Sequence, residues 1–232
     1  MTYAILWDLD GTIADTTDLH FHSWRQTLAA EGEDVDWDWF IRGFGRSNAD
    51  ILPDLFGPDL AVERMQRISD AKEAAFRALA RQQGLNTLPG VDSWLARFHA
   101  AGFPQTISSS APMANILVML DALEIGDLFW ALITGFPLPK GKPDPDIFLR
   151  SAAAVDLPPT RCVVIEDSIH GVEGAIRAGM ACVAVGQRLV EMLPDDLSAH
   201  LPDLGGREAP ILAVGNLNAL DWEQFNALME RM

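Results

Sequence analysis

The chain has 232 residues, of which 49% are hydrophobic, and it carries a formal net charge of −16 at pH 7. A chain this acidic is a poor partner for nucleic acid or for an anionic membrane surface, so we expect neither as a partner. We find no export leader in the sequence and no apolar run that could span a bilayer. Cys162 and Cys182 lie in apolar runs, which is typical of reduced cysteines in a protein core. Together these observations predict a cytoplasmic protein.

The first predicted element is an apolar run at residues 3–7 that ends in Asp8 and Asp10, followed by Gly11. Such a run is typical of a strand buried on both faces in the middle of a parallel sheet. Residues two apart on a strand point to one side, so both carboxylates can face the sheet edge where open α/β sheets bind ligands. Close carboxylates repel unless a proton or a cation lies between them, which favours Mg²⁺. A plain Asp-Gly turn is the alternative.

The next segment, residues 16–88, shows helical patterns and no convincing strand. Helices are predicted from Thr17 to about Glu31 and from Ala61 to Gln82, with Thr16 or Thr17 as the cap of the first. We expect this segment to form a helical cap domain that is inserted into a core domain of residues 1–15 and 89–232.

After Gly90, predicted helices and strands alternate, which is typical of a doubly wound parallel sheet. Strands are predicted at residues 105–109, 131–134, 162–166, 181–185 and 211–214. Helices are predicted at residues 91–101, 113–123, 146–155, 169–178 and 222–229. The predicted fold class is therefore α/β, a doubly wound parallel sheet with an inserted helical cap.

Three further groups of polar residues fall near predicted strand ends. Ser109 and Ser110 lie between a strand and a helix, where hydroxyls and free amides can bind an anion; simple helix capping is the alternative. Lys142 lies in a proline-rich loop and suits a phosphate near the carboxylates, with a solvated surface loop as the alternative. Glu166 and Asp167 end an apolar strand, where acids are costly without a cation.

In order and spacing, these residues resemble the four motifs of the haloacid dehalogenase superfamily. The motifs are Asp8-Leu9-Asp10-Gly11-Thr12, Ser109, Lys142 and Glu166-Asp167. The resemblance extends from about residue 3 to residue 186 and includes the helical cap. It implies phosphoryl transfer, with Asp8 as the nucleophile that forms an aspartyl phosphate and Asp10 as the general acid and base.

The resemblance also implies the binding groups of the site. Ser109, Ser110 and Lys142 would bind the phosphoryl oxygens, and Lys142 would offset their charge. The Mg²⁺ ligands would be oxygen atoms of acidic residues: Asp8, the backbone carbonyl of Asp10, Asp167, and Glu166 either directly or through water.

Two other chemistries of the superfamily fit less well. Dehalogenases of this fold lack the second aspartate of the first motif, which is present here as Asp10. Phosphonoacetaldehyde hydrolases use a cap lysine as a Schiff-base amine, whereas here Lys72 is the only cap lysine and Arg46 occupies the part of the cap where theirs is expected.

The cap resembles that of β-phosphoglucomutases, because His20, Arg46 and Lys72 match residues of the mutase cap. A guanidinium group can bind the second phosphate of a bisphosphate through two hydrogen bonds, so Arg46 is the most specific indication of a mutase among these three candidate substrate residues. Simple packing is the alternative for His20. Thr12 and Ala14 depart from the usual mutase hinge.

The sequence thus predicts a Mg²⁺-dependent phosphatase that acts on a small phosphorylated metabolite, such as a sugar phosphate. A β-phosphoglucomutase-type isomerase, which interconverts hexose 1- and 6-phosphates, is the alternative. A binding protein on a retired enzyme fold is disfavoured, because every motif residue is intact. The oligomeric state is left open between monomer and homodimer.

Overall fold

A computed structural model describes residues 2–43, 48–135, 140–192 and 210–231. The chain divides into two compact units, residues 1–15 with 86–232 and residues 16–85. The second boundary therefore lies at residue 86, a few residues before the position expected from the sequence.

The first unit is built on six parallel strands. They are β1 (Ala4–Trp7), β2 (Gln105–Ser109), β3 (Ala131–Thr134), β4 (Cys162–Glu166), β5 (Ala181–Val185) and β6 (Ile211–Val214). Their order in the sheet is β3-β2-β1-β4-β5-β6, so β1 lies in the interior. Every residue of β1, β2, β4 and β5 is buried, and burial on both faces explains why β1, β4 and β5 are mostly apolar. The predicted α/β fold class is confirmed.

Ten helices accompany these strands in the described part of the chain. In chain order they are α1 (Thr17–Ala30), α2 (Trp37–Gly43), α3 (Asn48–Phe56), α4 (Val62–Gln83), α5 (Val91–Ala100), α6 (Met113–Leu123), α7 (Asp146–Ala154), α8 (Ile169–Arg177), α9 (Gln187–Met192) and α10 (Trp222–Glu230). The short helix α9 has no counterpart in the sequence prediction. None of the helices in these described ranges is long and apolar enough to cross a bilayer.

Alternate residues of β1 pack on opposite faces of the sheet. Leu6 belongs to a buried cluster that includes Phe148 of α7 and Val172 of α8. Trp7 points the other way and meets Phe98 of α5, with ring centroids 6.1 Å apart. Helices thus cover both faces of the sheet, and the polar residues that follow its strands lie at the carboxyl edge.

The second unit contains α1 to α4, and a buried cluster holds these helices together. Its members include Trp24 and Leu28 of α1, Phe40 of α2, Leu52 of α3 and Ile68 of α4. Thr16 occupies the N-cap position of α1, but its side chain makes no capping hydrogen bond, contrary to the sequence prediction.

Candidate active site

Asp8 directly follows β1, and a tight turn at Gly11 comes next in the chain. Its backbone N–H donates to the carbonyl oxygen of Ile165 at 2.9 Å, which extends the pairing of β1 with β4. Gly11 has a φ of +85°, a conformation that favours glycine. A Cβ atom at this position would also lie 2.2 Å from Asp167 Oδ2. The turn therefore requires glycine for its conformation and for its space.

The two acids at the end of β4, Glu166 and Asp167, lie in the same space as Asp8. One carboxylate oxygen from each of Asp8, Glu166 and Asp167 lies within 4.8 Å of the other two. Adjacent strand residues point to opposite faces, but β4 ends at Glu166, so the chain is free to direct Asp167 toward the same side. The structure brings these three predicted residues together. Asp10, two residues beyond Asp8, is half-buried.

Lys142 is in direct contact with this carboxylate group. Its Nζ donates to Asp8 Oδ1 at 2.5 Å and to Glu166 Oε2 at 2.7 Å. Only 9% of the Lys142 side chain is exposed, so the alternative of a solvated loop residue is wrong for this lysine. Lys140, by contrast, is exposed.

The remaining oxygen of Glu166 is held by the start of α8. Glu166 Oε1 accepts from the backbone N–H of Ser168 at 3.0 Å and from Ser168 Oγ at 2.8 Å. Ser168 Oγ accepts from the N–H of Gly171 and so caps the helix. A Cβ atom at Gly171 would lie 2.0 Å from Glu166 Cδ, so no side chain fits there. The cap of α8 thus fixes the orientation of Glu166.

The hydroxyl of Thr12 was not predicted to contact either acid. Thr12 Oγ1 donates at 2.9 Å to Asp167 Oδ1 and lies 3.2 Å from Asp8 Oδ2. The position of a hydroxyl residue four places after Asp8, in a turn, is the signal that could have suggested this contact.

The site holds three carboxylates against the ammonium of Lys142. Burial and the charge of Glu166 raise the pKa of Asp8 well above its usual value, although Lys142 opposes them. Burial and Glu166 also raise the pKa of Asp167 to about 7. Burial alone lowers the pKa of Lys142, but Asp8 and Glu166 outweigh it and raise this pKa. A divalent cation would offset the excess negative charge, and the all-oxygen donor set fits Mg²⁺.

The predicted phosphate-binding serines lie at the end of β2, where Ser109 is the last residue of the strand and Ser110 follows it. Trp7 of β1 pairs with Ile107 of β2, so Ser109 lies at the sheet edge that also carries Asp8. Ser109 is buried, and its Oγ accepts from the N–H of Ala111 at 3.1 Å. Ser110 is exposed. Their role in phosphate binding stays a prediction.

Two of the three predicted cap residues contact each other. Lys72 Nζ lies 2.9 Å from His20 Nδ1 and 2.9 Å from Glu73 Oε1, and Glu73 Oε1 also accepts from Asn48 Nδ2 at 3.0 Å. His20 is therefore part of a polar network as well as packing on its neighbours. Arg46 lies outside the described residues.

Comparison with known proteins decides the family. The family model for haloacid dehalogenase-like hydrolases matches residues 5–185. The chain belongs to this family. The haloacid dehalogenase-like chain is 33% identical to β-phosphoglucomutase of Bacillus subtilis (strain 168), over 79% of this chain and 83% of that protein. It is 30% identical to fructose-1-phosphate phosphatase YqaB of Escherichia coli (strain K12), over 78% and 95%.

A solved structure supports the same placement. β-Phosphoglucomutase from Clostridium difficile matches the chain with a TM-score of 0.80 and 26% identity, covering 99% of this chain and 98% of that one. The haloacid dehalogenase-like chain is therefore an enzyme whose relatives include phosphatases and phosphomutases. This confirms the family resemblance predicted from the sequence.

Proposed function

We propose that this enzyme is a Mg²⁺-dependent phosphatase that hydrolyses a small phosphorylated metabolite, such as a sugar phosphate, through an aspartyl phosphate on Asp8. One observation carries the proposal. The Asp8 carboxylate lies at the sheet edge, in contact with the Lys142 ammonium and within 4.8 Å of Glu166 and Asp167 oxygens. A buried carboxylate paired with a cation beside further acids is the arrangement that an anionic substrate and a metal require.

Asp8 acts as the nucleophile in the first step. A carboxylate oxygen attacks phosphorus, an O–P bond to Asp8 forms, and the bond from phosphorus to the sugar oxygen breaks. The carboxylate must be ionised to attack, and its contact with Lys142 favours the ionised form against the effect of burial.

Asp10 moves the protons of both steps. Its carboxylic acid gives a proton to the departing sugar oxygen. The resulting carboxylate then takes a proton from water, which attacks phosphorus, breaks its bond to Asp8 and releases inorganic phosphate. The half-buried position of Asp10, two residues beyond the nucleophile, suits this role.

The metal would be held by Asp8, Asp167 and the backbone carbonyl of Asp10, with Glu166 helping directly or through water. When bound, Mg²⁺ offsets charge on the phosphoryl oxygens and helps to orient the group. Ser109, Ser110 and Lys142 contribute the phosphate contacts in this proposal, because they follow or approach the same edge of the sheet.

A β-phosphoglucomutase-type isomerase is the second candidate, and the comparisons favour it specifically. Both the Bacillus subtilis relative and the Clostridium difficile structure are β-phosphoglucomutases. A mutase would use the same aspartyl phosphate but return the phosphoryl group to a sugar hydroxyl. In that case Arg46 binds the far phosphate of a bisphosphate, with His20 and Lys72 as further substrate residues.

A screen of phosphorylated sugars with Mg²⁺, which measures both free phosphate and isomerised sugar, tests the proposal. A phosphatase releases phosphate from at least one sugar phosphate, loses activity in EDTA and forms no isomer from any hexose 1-phosphate. Isomerisation of β-glucose 1-phosphate that depends on a bisphosphate primer and exceeds phosphate release would establish the mutase instead. Absence of both products with folded, Mg²⁺-supplemented protein would overturn the mutase and would exclude sugar phosphates as the substrates of the phosphatase.

Arg46→Ala separates the two candidates further. In a mutase, this change removes a bidentate contact with phosphate, and isomerisation collapses while slow phosphoenzyme hydrolysis continues. In a phosphatase, it changes KM modestly and only for some sugars.

A further inference from the structure

The hydroxyl of Thr12 is a buried group that the proposed reaction does not use. Thr12 is fully buried, and its Oγ1 lies 3.2 Å from Asp8 Oδ2 and 2.9 Å from Asp167 Oδ1. A hydroxyl has one proton, so it donates to one carboxylate at a time and the two compete for it. Thr12 therefore connects the proposed nucleophile with a proposed metal ligand.

With Thr12 in place, the Asp8 carboxylate has a contact at each of its oxygens. Oδ1 accepts from Lys142 Nζ at 2.5 Å, and Oδ2 faces the Thr12 hydroxyl. The terminal torsion of an aspartate is broad, so a single contact lets the carboxylate turn, whereas contacts at both oxygens fix its plane. Each oxygen keeps a further lone pair for a reacting atom or a cation.

We propose that Thr12 is a positioning residue that fixes the plane of the Asp8 carboxylate and couples its orientation to that of Asp167. The proposal rests on the proposed function, because it concerns the same two carboxylates. Loss of the hydroxyl should slow the chemical step and weaken Mg²⁺ binding, since groups that orient metal ligands change metal affinity by about 10–100-fold. The KM for substrate should change little, because a fully buried residue does not contact the substrate.

A second threonine of the core provides a matched control. Thr106 of β2 is also fully buried, but its Oγ1 has no hydrogen-bond partner among the described residues. Thr12→Val and Thr106→Val are the same isosteric change, and each removes one buried hydroxyl. Thr12→Ser keeps the hydroxyl and removes only the methyl group, so it tests for rescue. Thr12→Ala serves as a second hydroxyl-free variant if valine prevents folding.

Three measurements are compared across these variants: Mg²⁺ affinity by calorimetry without substrate, Tm in EDTA, and kcat with KM. We expect Thr12→Val to lower Mg²⁺ affinity about tenfold. Its kcat should fall about 10–100-fold while KM stays within about twofold, because misplacement of a reacting group mainly affects the chemical step. Thr12→Ser should remain close to the parent in all measurements, and Thr106→Val should equal the parent in Mg²⁺ affinity and kcat.

The result that overturns the proposal is a Thr12→Val protein whose Mg²⁺ affinity and kcat match those of Thr106→Val. Equal losses in Thr12→Ser would also overturn it, because the methyl group and not the hydroxyl would then be responsible. Failure of the proposed function can be distinguished from failure of this proposal, because the proposed function is tested on the parent protein alone. If the parent neither binds Mg²⁺ nor releases phosphate, Tm in EDTA decides: the proposal requires a Tm lower in Thr12→Val than in Thr106→Val, and restored in Thr12→Ser.

Discussion

Two lysines, one in each unit of the chain, are almost completely buried, and their surroundings differ in charge. The side chain of Lys142 is 9% exposed and contacts two carboxylates, those of Asp8 and Glu166. The side chain of Lys72 is 5% exposed and contacts one carboxylate, that of Glu73. A buried ammonium needs compensation in both places, but only the core supplies more negative charge than the lysine carries.

The rest of each environment strengthens the contrast. Asp167 adds a third carboxylate to the core group, which leaves an excess of negative charge that a divalent cation would offset. In the cap, Lys72 faces the imidazole of His20, and its Nζ lies 5.6 Å and 5.7 Å from the ring centroids of Trp24 and Phe76. The difference agrees with the proposed function, in which the core carries the metal and phosphoryl chemistry and the cap recognises the substrate.

The largest effect is expected from Asp8→Asn, which removes the attacking charge. We expect kcat to fall by about 10³-fold or more, because an amide cannot form the phosphoenzyme. Tm in EDTA should equal or exceed that of the parent, since loss of one carboxylate relieves repulsion in the group. Asp10→Asn should also slow turnover, through loss of proton transfer. Substantial turnover by folded Asp8→Asn would falsify the role of Asp8 as nucleophile.

A comparison of Lys142→Met with Lys72→Met tests the contrast directly. Lys142→Met should lower kcat by about 10²–10³-fold, because it removes the fixed positive charge beside the nucleophile. Lys72→Met should lower phosphate release by less than about tenfold, as expected for a residue of polar recognition. The contrast fails if Lys72→Met loses more activity than Lys142→Met. Lys140→Ala, an exposed lysine in the same loop as Lys142, is the control and should match the parent.

Lys72→Met should instead cost stability, by about 2–4 kcal/mol in urea denaturation, because the partly buried carboxylate of Glu73 loses its contact with the ammonium of Lys72. The double variant Lys72→Met/Glu73→Gln should recover much of this loss. If the double variant is no more stable than Lys72→Met, then the packing of the lysine stem, and not the charge of Glu73, accounts for the cost.

The smallest effect concerns the pH dependence of stability without metal. The pKa of Asp167 is raised from 3.8 to about 7, so between these values the folded protein keeps a proton that the unfolded chain has released. Stability in EDTA should therefore fall as pH rises from about 4 to 7, by about 1–3 kcal/mol. Excess Mg²⁺ should reduce this fall because it stabilises the ionised carboxylates. Urea denaturation at several pH values measures this fall. Asp167→Asn should show a smaller fall in EDTA than the parent. The charge argument is contradicted if the dependence of stability on pH is the same in both proteins and is unchanged by Mg²⁺.

Local patterns were sufficient to predict most of the sheet and the location of the site. The strands β1, β4 and β5 are short, mostly apolar runs because they are buried on both faces, so the residues alone reveal them. The acids at the ends of β1 and β4 could be assigned to one site because the carboxyl ends of parallel strands lie at the same edge. The helix α9 is only six residues long, and it was missed because so short a segment shows little periodicity.

What the sequence by itself determined is thus the order of the elements, the fold class and the set of acids at one edge. Only the tertiary structure decided which atoms meet. Lys142 is 134 residues from Asp8, and Thr12 is 155 residues from Asp167, yet both pairs are in hydrogen-bond contact. Such contacts depend on sub-ångström packing of the turn at Gly11 and of the cap of α8, and hydrophobic periodicity carries no information at that scale. Periodicity reports which face of an element is buried, whereas hydrogen bonds between distant residues depend on how the buried faces pack together.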